Sequence, residues 1–600
     1  MEFQDAKDKV SDIPGRRFDW DTKLWIVPAT VQNAERVLKT LRPECDPEII
    51  QWIKEAKGGA EESLTTELPD DAADLLVPWA TKRMPWQPEY VNDEKYDGLL
   101  DYQRAAVSAM AASTRAILAD DMGLGKTFEA ISAVEEFALR NGQIDGPKLV
   151  VAPNSVLGGW AREISRWLED APHQIVDAKS PAARSKQLEA AIEESAWTIV
   201  NWEQLRVKKE KVLLKNGGRK TVTMLKEPLF EDTEWLATIA DEVHRAKNRK
   251  SQQTQGLWRV KGQMMLGLTG TPLMNSPDEL WSILRWLWPD EYGNSTPRSA
   301  KNPAGHPRVA YWAFYEDYVD YWEDQYKRKV VTGVKNPDAL RFVLRGKLIR
   351  RTAAILGLKG RKRIRYEVDL NPKQRKLYDE AEKVMWLEVK KDAAAGDTTA
   401  LQIEQAVDPV GMLYNIPNGA ARMIRCQQIL ENPAILGGED DSALMDDFEQ
   451  KFIDSRPTQW VVACKFKESC NILAARLRSK YNADVGVYTG DTPPEDRTKM
   501  EDAFQRGELD VIVGTLDATK EGITLTSGHS MYQLTRAWVP ATNEQWESRC
   551  DRLGQQELVR IYIPLPRNTV STNNVEPTNT LKEGIVKTVI PKDEIKEGAA

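Results

Sequence analysis

The chain has 600 residues, which at roughly 150 per domain suggests about four domains. With 41% hydrophobic and 29% charged residues, no apolar run long enough for a membrane helix and no basic-then-apolar leader in MEFQDAKDKV, composition excludes a mainly disordered, collagen-like or membrane-spanning chain. A net charge of −8 announces no nucleic-acid partner, so any such site must be a local basic patch, and five scattered cysteines without a CxxC pair point to a reducing compartment and no structural zinc.

In chain order, residues 1–90 form a small unit. Phe18 to Pro28 reads as two short strands around a polar turn, Val31 to Leu41 has helical spacing, and Lys57–Pro88 is linker-like. Between 91 and 290, short apolar runs alternate with helical stretches. The runs are Ala116–Ala119, Leu149–Ala152, Thr198–Val200, Leu236–Ala240 and Met264–Leu268. Continuous apolar runs fit strands covered on both faces by helices, and ligands of such sheets sit at the carboxyl ends of the strands. Residues 291–450 look mostly helical. The α/β rhythm returns in 451–566 with Trp460–Cys464, Val485–Tyr488, Val511–Val513, Met531–Leu534 and Val559–Ile563. Residues 567–600 lack a core face and read as a tail.

The strongest local signal is Ala119-Asp-Asp-Met-Gly-Leu-Gly-Lys-Thr127, where a buried strand meets a Gly-rich loop and then a helix. Gly123 and Gly125 let backbone N–H groups approach phosphate, with Met122 and Leu124 completing the loop. Lys126 faces the outer phosphates and Thr127 is the Mg²⁺ ligand. Asp120 stands where the strict phosphate-loop pattern has another Gly. A second signal is Leu236–His244, which ends a strand on two carboxylates. Asp241 is expected to hold Mg²⁺ and Glu242 to orient or deprotonate the attacking water. Alone, such a pair would more often cap a helix; the upstream phosphate loop favours catalysis.

These segments resemble motifs of the Swi/Snf-related ATPases of the superfamily-two helicases, over roughly residues 97–566. Asp120–Thr127 resembles motif I, Val150–Trp160 motif Ia, Asp241-Glu-Val-His244 the DEAH box with Val243 for Ala, and Leu268–Asn275 motif III. Glu521–Leu525 is similar to motif V, with one Gly fewer, and Gln545–Gln555 to motif VI, with Ser548 for the usual Asp. The resemblance implies an α/β fold of two RecA-like doubly wound parallel-sheet lobes, with helical insertions between them and a small N-terminal α+β accessory unit similar to HARP-type modules. It implies ATP and Mg²⁺ as cofactors, with Gln103 reading adenine and Gly522 and Gln545 at the nucleotide. Arg549 and Arg552 become arginine fingers, and His244, Thr269, Gly270 and Thr271 a relay from nucleotide to track. The implied activity is ATP-driven translocation on double-stranded or forked DNA by a monomer in the cytoplasm, or in the nucleus of a eukaryote. A strand-separating DNA or RNA helicase and a non-hydrolysing DNA-binding scaffold remain alternatives.

Two basic patches are candidate tracks. Residues 341–365 carry ten Lys or Arg and no acid, among them Arg350, Arg351, Arg361 and Arg363. The other patch, Arg206–Lys220, includes Lys208 and Lys209 around a hairpin-like Asn216-Gly-Gly218. Asn154 and Ser155 of motif Ia are expected to add backbone contacts. Each patch reads either as a phosphate footprint or as a solvated face.

Overall fold

A computed structural model describes residues 17–19, 24–26, 99–142, 146–168, 170–213, 219–293, 307–323, 329–382, 417–520, 523–590 and 596–598. The predicted helix at Val31–Leu41 and the Asn216–Gly218 turn lie outside them. β1 (Arg17–Asp19) and β2 (Leu24–Ile26) form the expected antiparallel pair, with Phe18 opposite Trp25. The chain divides into two compact units. Unit 1 holds residues up to 121, 125–352 and 585–591, and unit 2 holds 122–124, 353–584 and 592–600.

Unit 1 starts with α1 (Asp101–Ser113), β3 (Arg115–Leu118) and α2 (Lys126–Arg140). Next come β4 (Lys148–Ala152), α3 (Leu157–Trp167), β5 (His173–Ile175) and β6 (Trp197–Asn201). β7 (Val207–Leu213) and β8 (Arg219–Leu225) make an antiparallel hairpin. β9 (Ala237–Asp241) and β10 (Met264–Leu268) complete the core strands. β11 (Val319–Glu323) and β12 (Lys329–Val334) form a second hairpin, and β13 (Leu348–Ile349) returns to the sheet. The sheet order is β13-β3-β10-β9-β4-β6-β5, parallel throughout. Alternate strand residues enter opposite core layers, as the two-residue period of a strand dictates. Ile117, Leu149 and Val151 pack in one layer, Leu118, Val150 and Ala152 in the other. α2 is buried along most of its length, and Phe128 at its start stacks on Trp167 with ring centroids 3.8 Å apart.

Unit 2 repeats the plan. Its strands are β14 (Arg361–Val368), β15 (Trp460–Cys464), β16 (Val485–Tyr488), β17 (Val511–Thr515), β18 (Ser530–Gln533), β19 (Val559–Pro566) and β20 (Lys596–Gly598). They order as β16-β17-β15-β18-β19-β14-β20, again all parallel. α4 (Lys467–Tyr481) follows β15, and α5 (Pro540–Glu547) leads into motif VI. This is the two-lobed, doubly wound parallel-sheet class expected from the motifs.

The expected boundaries shift in two places. The long span of the second unit runs from residue 353, ahead of the expected 451, because the basic stretch after it is strand β14, paired along its whole length with β19. Its charges hid the strand: Arg363 and Ile364 are both buried, so no apolar run marks it. The supposed tail contains α6 (Glu576–Val589). In unit 2 its Glu576 and Glu583 pair with Arg536, at 3.0 and 3.8 Å. In unit 1, Ile585, Val586, Val589 and Ile590 join the hydrophobic core. Among the described residues no helix is long and apolar enough to cross a membrane.

Candidate nucleotide site

β3 delivers the chain to the phosphate loop, and α2 takes it away. Gly123 and Gly125 adopt φ of 87° and 89°, the left-handed region open to glycine. A Cβ on Gly125 would collide with the Gln103 side-chain amide, so this glycine also makes room for the residue expected to read adenine. Gln103 sits in the first turn of α1, and its Oε1 accepts from the Leu100 N–H at 2.9 Å, which fixes the side chain. Lys126 opens α2 and donates from Nζ to the carbonyls of Asp120 and Asp121, at 2.8 and 2.9 Å. Burial lowers its pKa, and the charges of Glu242, Asp120 and Asp121 oppose that shift. Thr127 follows on the same helical turn.

The acidic pair lies at the carboxyl end of β9. Burial, and then the charge of Glu242, raise the Asp241 carboxyl to about 6. Its oxygens accept from the Trp160 indole N–H and from the Glu242 backbone N–H, both at 2.9 Å. The Trp202 indole N–H holds the Asp241 carbonyl at 3.0 Å. Glu242 has left-handed φ of 50° and ψ of 50°, a costly conformation for a non-glycine residue. The strand therefore turns abruptly after Asp241, and the two neighbouring carboxylates share one site. Gly267 on β10 explains Val243: a Cβ at 267 would lie 3.1 Å from Val243 Cγ1, so the missing side chain accommodates the branched residue.

From the acidic pair a polar chain runs to motif III. His244 Nδ1 lies 3.1 Å from Glu242 Oε2 and 3.0 Å from Thr269 Oγ1. Thr269 Oγ1 also accepts from the Thr271 N–H at 3.0 Å. Glu242, His244, Thr269 and Thr271 are thus brought together as one connected series, and Gly270 lies inside it. Asn154 and Ser155 are exposed on a short turn after β4.

In unit 2, motif VI is locked to motif V. Buried Arg549 donates to the carbonyls of Gln545 at 3.0 Å, Ile523 at 3.3 Å and Lys520. Arg552 Nη1 donates to Thr524 Oγ1 at 2.7 Å. Arg549 is therefore a brace between the two motifs here, while Arg552 is the more exposed arginine. Gln545 is buried, and its carbonyl also accepts from Ser548 Oγ at 2.9 Å. Gly522 lies outside the described residues.

The basic stretch 341–365 departs most from the expected exposed track. Arg350, Arg351 and Arg363 are only 3–5% exposed and bind protein groups. Arg350 and Arg351 face the phosphate loop. Arg363 pairs with Glu547 at 2.7 Å and Arg361 with Asp551 at 3.1 Å. Lys347 and Lys359 pair with Glu291 and Glu557, at 3.2 and 3.1 Å. Acids distant in sequence pair with Lys347, Arg350, Arg351, Lys359, Arg361 and Arg363, and no local pattern reveals them. Lys208 and Lys209, by contrast, are exposed on β7, with Glu210 2.7 Å from Lys208. Trp160, Trp202 and the buried role of Arg350 and Arg351 escape sequence reasoning. Their one trace is Asp120, the acid at a phosphate-loop position that usually carries Gly.

The residues fit a magnesium nucleotide. Two adjacent carboxylates, one held well above its ordinary pKa by burial and repulsion, are what a divalent cation relieves. Among the described residues no group of three or more His, Cys, Asp or Glu gathers as a protein cage. Mg²⁺ held by Thr127 and Asp241 would complete its shell with phosphate and water, its usual habit in such enzymes.

A family model of the SNF2-related domain matches residues 102–410, and one of the helicase conserved C-terminal domain matches 444–554. The chain is 25% identical over 488 residues to the putative ATP-dependent helicase/translocase YwqA of Bacillus subtilis, covering 79% of this chain and 46% of that protein. It is 24% identical over 563 residues to chromodomain-helicase-DNA-binding protein 8 of Rattus norvegicus, covering 86% and 19%. The chain thus spans less than half the length of these curated relatives. The Sulfolobus solfataricus SWI2/SNF2 ATPase core in complex with dsDNA aligns with 82% of this chain and 97% of that one, at 20% identity and a TM-score of 0.35.

Proposed function

Because the chain belongs to the SNF2-related family of ATP-hydrolysing, helicase-type enzymes, we propose that it hydrolyses ATP to move along double-stranded DNA, remodelling forks, annealing strands or displacing bound protein. The observation that carries this reading is the Glu242–His244–Thr269–Thr271 series. It joins the residue that would orient water to the loop that follows β10. A pure binding scaffold has no use for such a connection. The intact Lys126, Asp241 and Glu242 speak against it too.

In the proposed reaction, bound Mg²⁺ supplies charge neutralisation for the phosphoryl oxygens. Lys126 leaves its own loop carbonyls for the outer phosphates. Trp160 and the Glu242 N–H keep the Asp241 carboxylate aimed, and Glu242 orients the attacking water and accepts its proton. Proton loss to Glu242 changes the charge facing His244, so the imidazole and Thr269 register the step. Arg552 supplies the planar cation of a finger, while Arg549 keeps motif VI on motif V.

For the track, the exposed Lys208 and Lys209 on the β7–β8 hairpin replace the 341–365 run as the first candidate. DNA is the track that the relatives' descriptions support, helicase/translocase for YwqA and DNA-binding for the rat protein, and its duplex form is part of the proposal. Steady-state ATPase measured with duplex, forked and single-stranded DNA and with RNA tests the reading. Duplex or fork should stimulate most; stimulation by RNA or single strands alone would favour the strand-separating alternative.

A further inference from the structure

We propose that Arg350 and Arg351 are positioning residues for the nucleotide. They form a double clamp on the edge strand β13 that holds the phosphate loop, the glutamine helix α1 and the motif III loop in one register. The backbone comes first. β13 runs parallel to β3, with Leu348 beside Ile117 and Ile349 beside Leu118. The ladder continues past the strand end: Ala119 N donates to Ile349 O at 2.7 Å and Asp121 N to Arg351 O at 3.0 Å. On the other side, Thr269 N donates to Leu118 O at 3.0 Å. The entry to the phosphate loop is thus gripped between the motif III strand and a segment more than two hundred residues away in sequence.

The guanidiniums extend that grip. Arg350 donates to the Ala119 carbonyl, to the Gly270 carbonyl at 3.3 Å and to the Asp121 carboxylate. Arg351 donates to the Asp120 carboxylate, to Glu129 Oε2 at 2.6 Å and to the Tyr102 carbonyl. It also lies over the Tyr102 ring, 4.8 Å from the centroid, and its own N–H reaches Asp120 Oδ1 at 2.9 Å. Tyr102 precedes Gln103, Glu129 lies on α2, and Gly270 lies inside the His244–Thr269–Thr271 series. One arginine therefore joins the phosphate loop to motif III, and the next joins it to the adenine-side glutamine and to α2.

Stability alone does not account for this arrangement. Buried ion pairs often contribute nothing net, and apolar residues of similar volume frequently serve as well. A planar fork with several donors fixes the relative position of three segments, which an ammonium cannot do. Asp120, at the position that departs from the strict phosphate-loop pattern, is explained as the anchor of Arg351.

The clamp rests on the ATPase reading, and its test separates the two. Full-length wild type and the R350K, R350Q, R351K and R351Q variants are compared for equilibrium binding of a fluorescent ATP analogue, kcat, KM, thermal midpoint and the salt slope of duplex binding. A displacement of about an ångström in a reacting geometry costs on the order of a hundredfold. Arg350→Lys should therefore lower kcat by tenfold or more with KM nearly unchanged. Arg351→Lys should raise KM and the analogue Kd by a similar factor. Both Lys variants should keep a near wild-type thermal midpoint. Lys variants that match wild type in kcat and KM would overturn the clamp while leaving the ATPase reading intact. So would losses in the Gln variants that only follow the thermal midpoint. A duplex salt slope flatter by about one per arginine would make them phosphate contacts and overturn it as well. A wild type that binds no nucleotide would overturn the ATPase reading itself, and the clamp with it.

Discussion

Asp241 and Glu242 are adjacent in sequence but differ in surroundings, and that difference is consistent with the separate roles proposed for them. Asp241 is pinned by an indole and a backbone N–H, the setting of a ligand that must not move. Glu242 faces His244, the setting of a group whose proton must be sensed. Glu242→Gln keeps the shape and loses the base, so analogue binding should persist while turnover falls by about a hundredfold or more; near-normal turnover would remove Glu242 from the chemistry. Trp160→Phe keeps the ring but removes the N–H that aims Asp241. Loss of such an outer partner typically weakens metal affinity by about 10–100-fold. The Mg²⁺ concentration for half-maximal ATPase should rise accordingly, with circular dichroism unchanged. An unaltered Mg²⁺ requirement would mean that the indole only fills space.

Two packed elements make separate predictions. The β10–Val243 contact has room for a branched side chain only because residue 267 is Gly. Gly267→Ala should destabilise the chain by about 1–3 kcal/mol, as overpacking does, and adding Val243→Ala should recover most of it, since the two residues touch. No recovery would place the strain elsewhere. α5 ends at Glu547, which is buried against Arg363 at 2.7 Å and Arg536 at 3.2 Å. Burial would push its carboxyl up, but the two guanidiniums reverse this and hold it down at about 2, from an ordinary 4.5. A depressed folded pKa means stability that is present above 4.5 and lost as pH falls from 4.5 towards 2. The urea midpoint of wild type should therefore exceed that of Glu547→Gln at pH 7, and the gap should narrow below pH 4.5; a gap independent of pH would contradict the assignment. The same cluster shows why the 341–365 run misled. A row of cations has one appearance in sequence whether it faces phosphate or distant acids. Arg363 and Glu547 are 184 positions apart.

For the whole molecule, legibility followed locality. Strands ending in phosphate-loop and acidic-pair motifs were legible because strand, turn and helix are contiguous, and β3, β4, β9, β10, β15, β17 and β19 fall on the apolar runs. β13, with two residues, and β14, dense with charge, carry no such run, and only pairing with β3 and β19 defines them. The site divides the same way: Lys126, Asp241 and Glu242 announce themselves, whereas Trp160, Trp202, Arg350 and Arg351 join it only through the fold. The α6 helix is not legible in sequence because its buried apolar residues Ile585, Val586 and Val589 are few and follow a polar stretch. The proposed activity is movement along intact duplex driven by ATP. Displacement of a third strand from a DNA triplex reads that movement directly and requires no separation of the underlying duplex. Wild type with ATP and Mg²⁺ should displace the third strand, Glu242→Gln should not, and Lys208→Gln/Lys209→Gln should displace it more slowly and with a shallower dependence on salt, because fewer phosphate contacts release counterions. A wild type that hydrolyses ATP in the presence of duplex yet leaves the triplex intact would contradict duplex translocation.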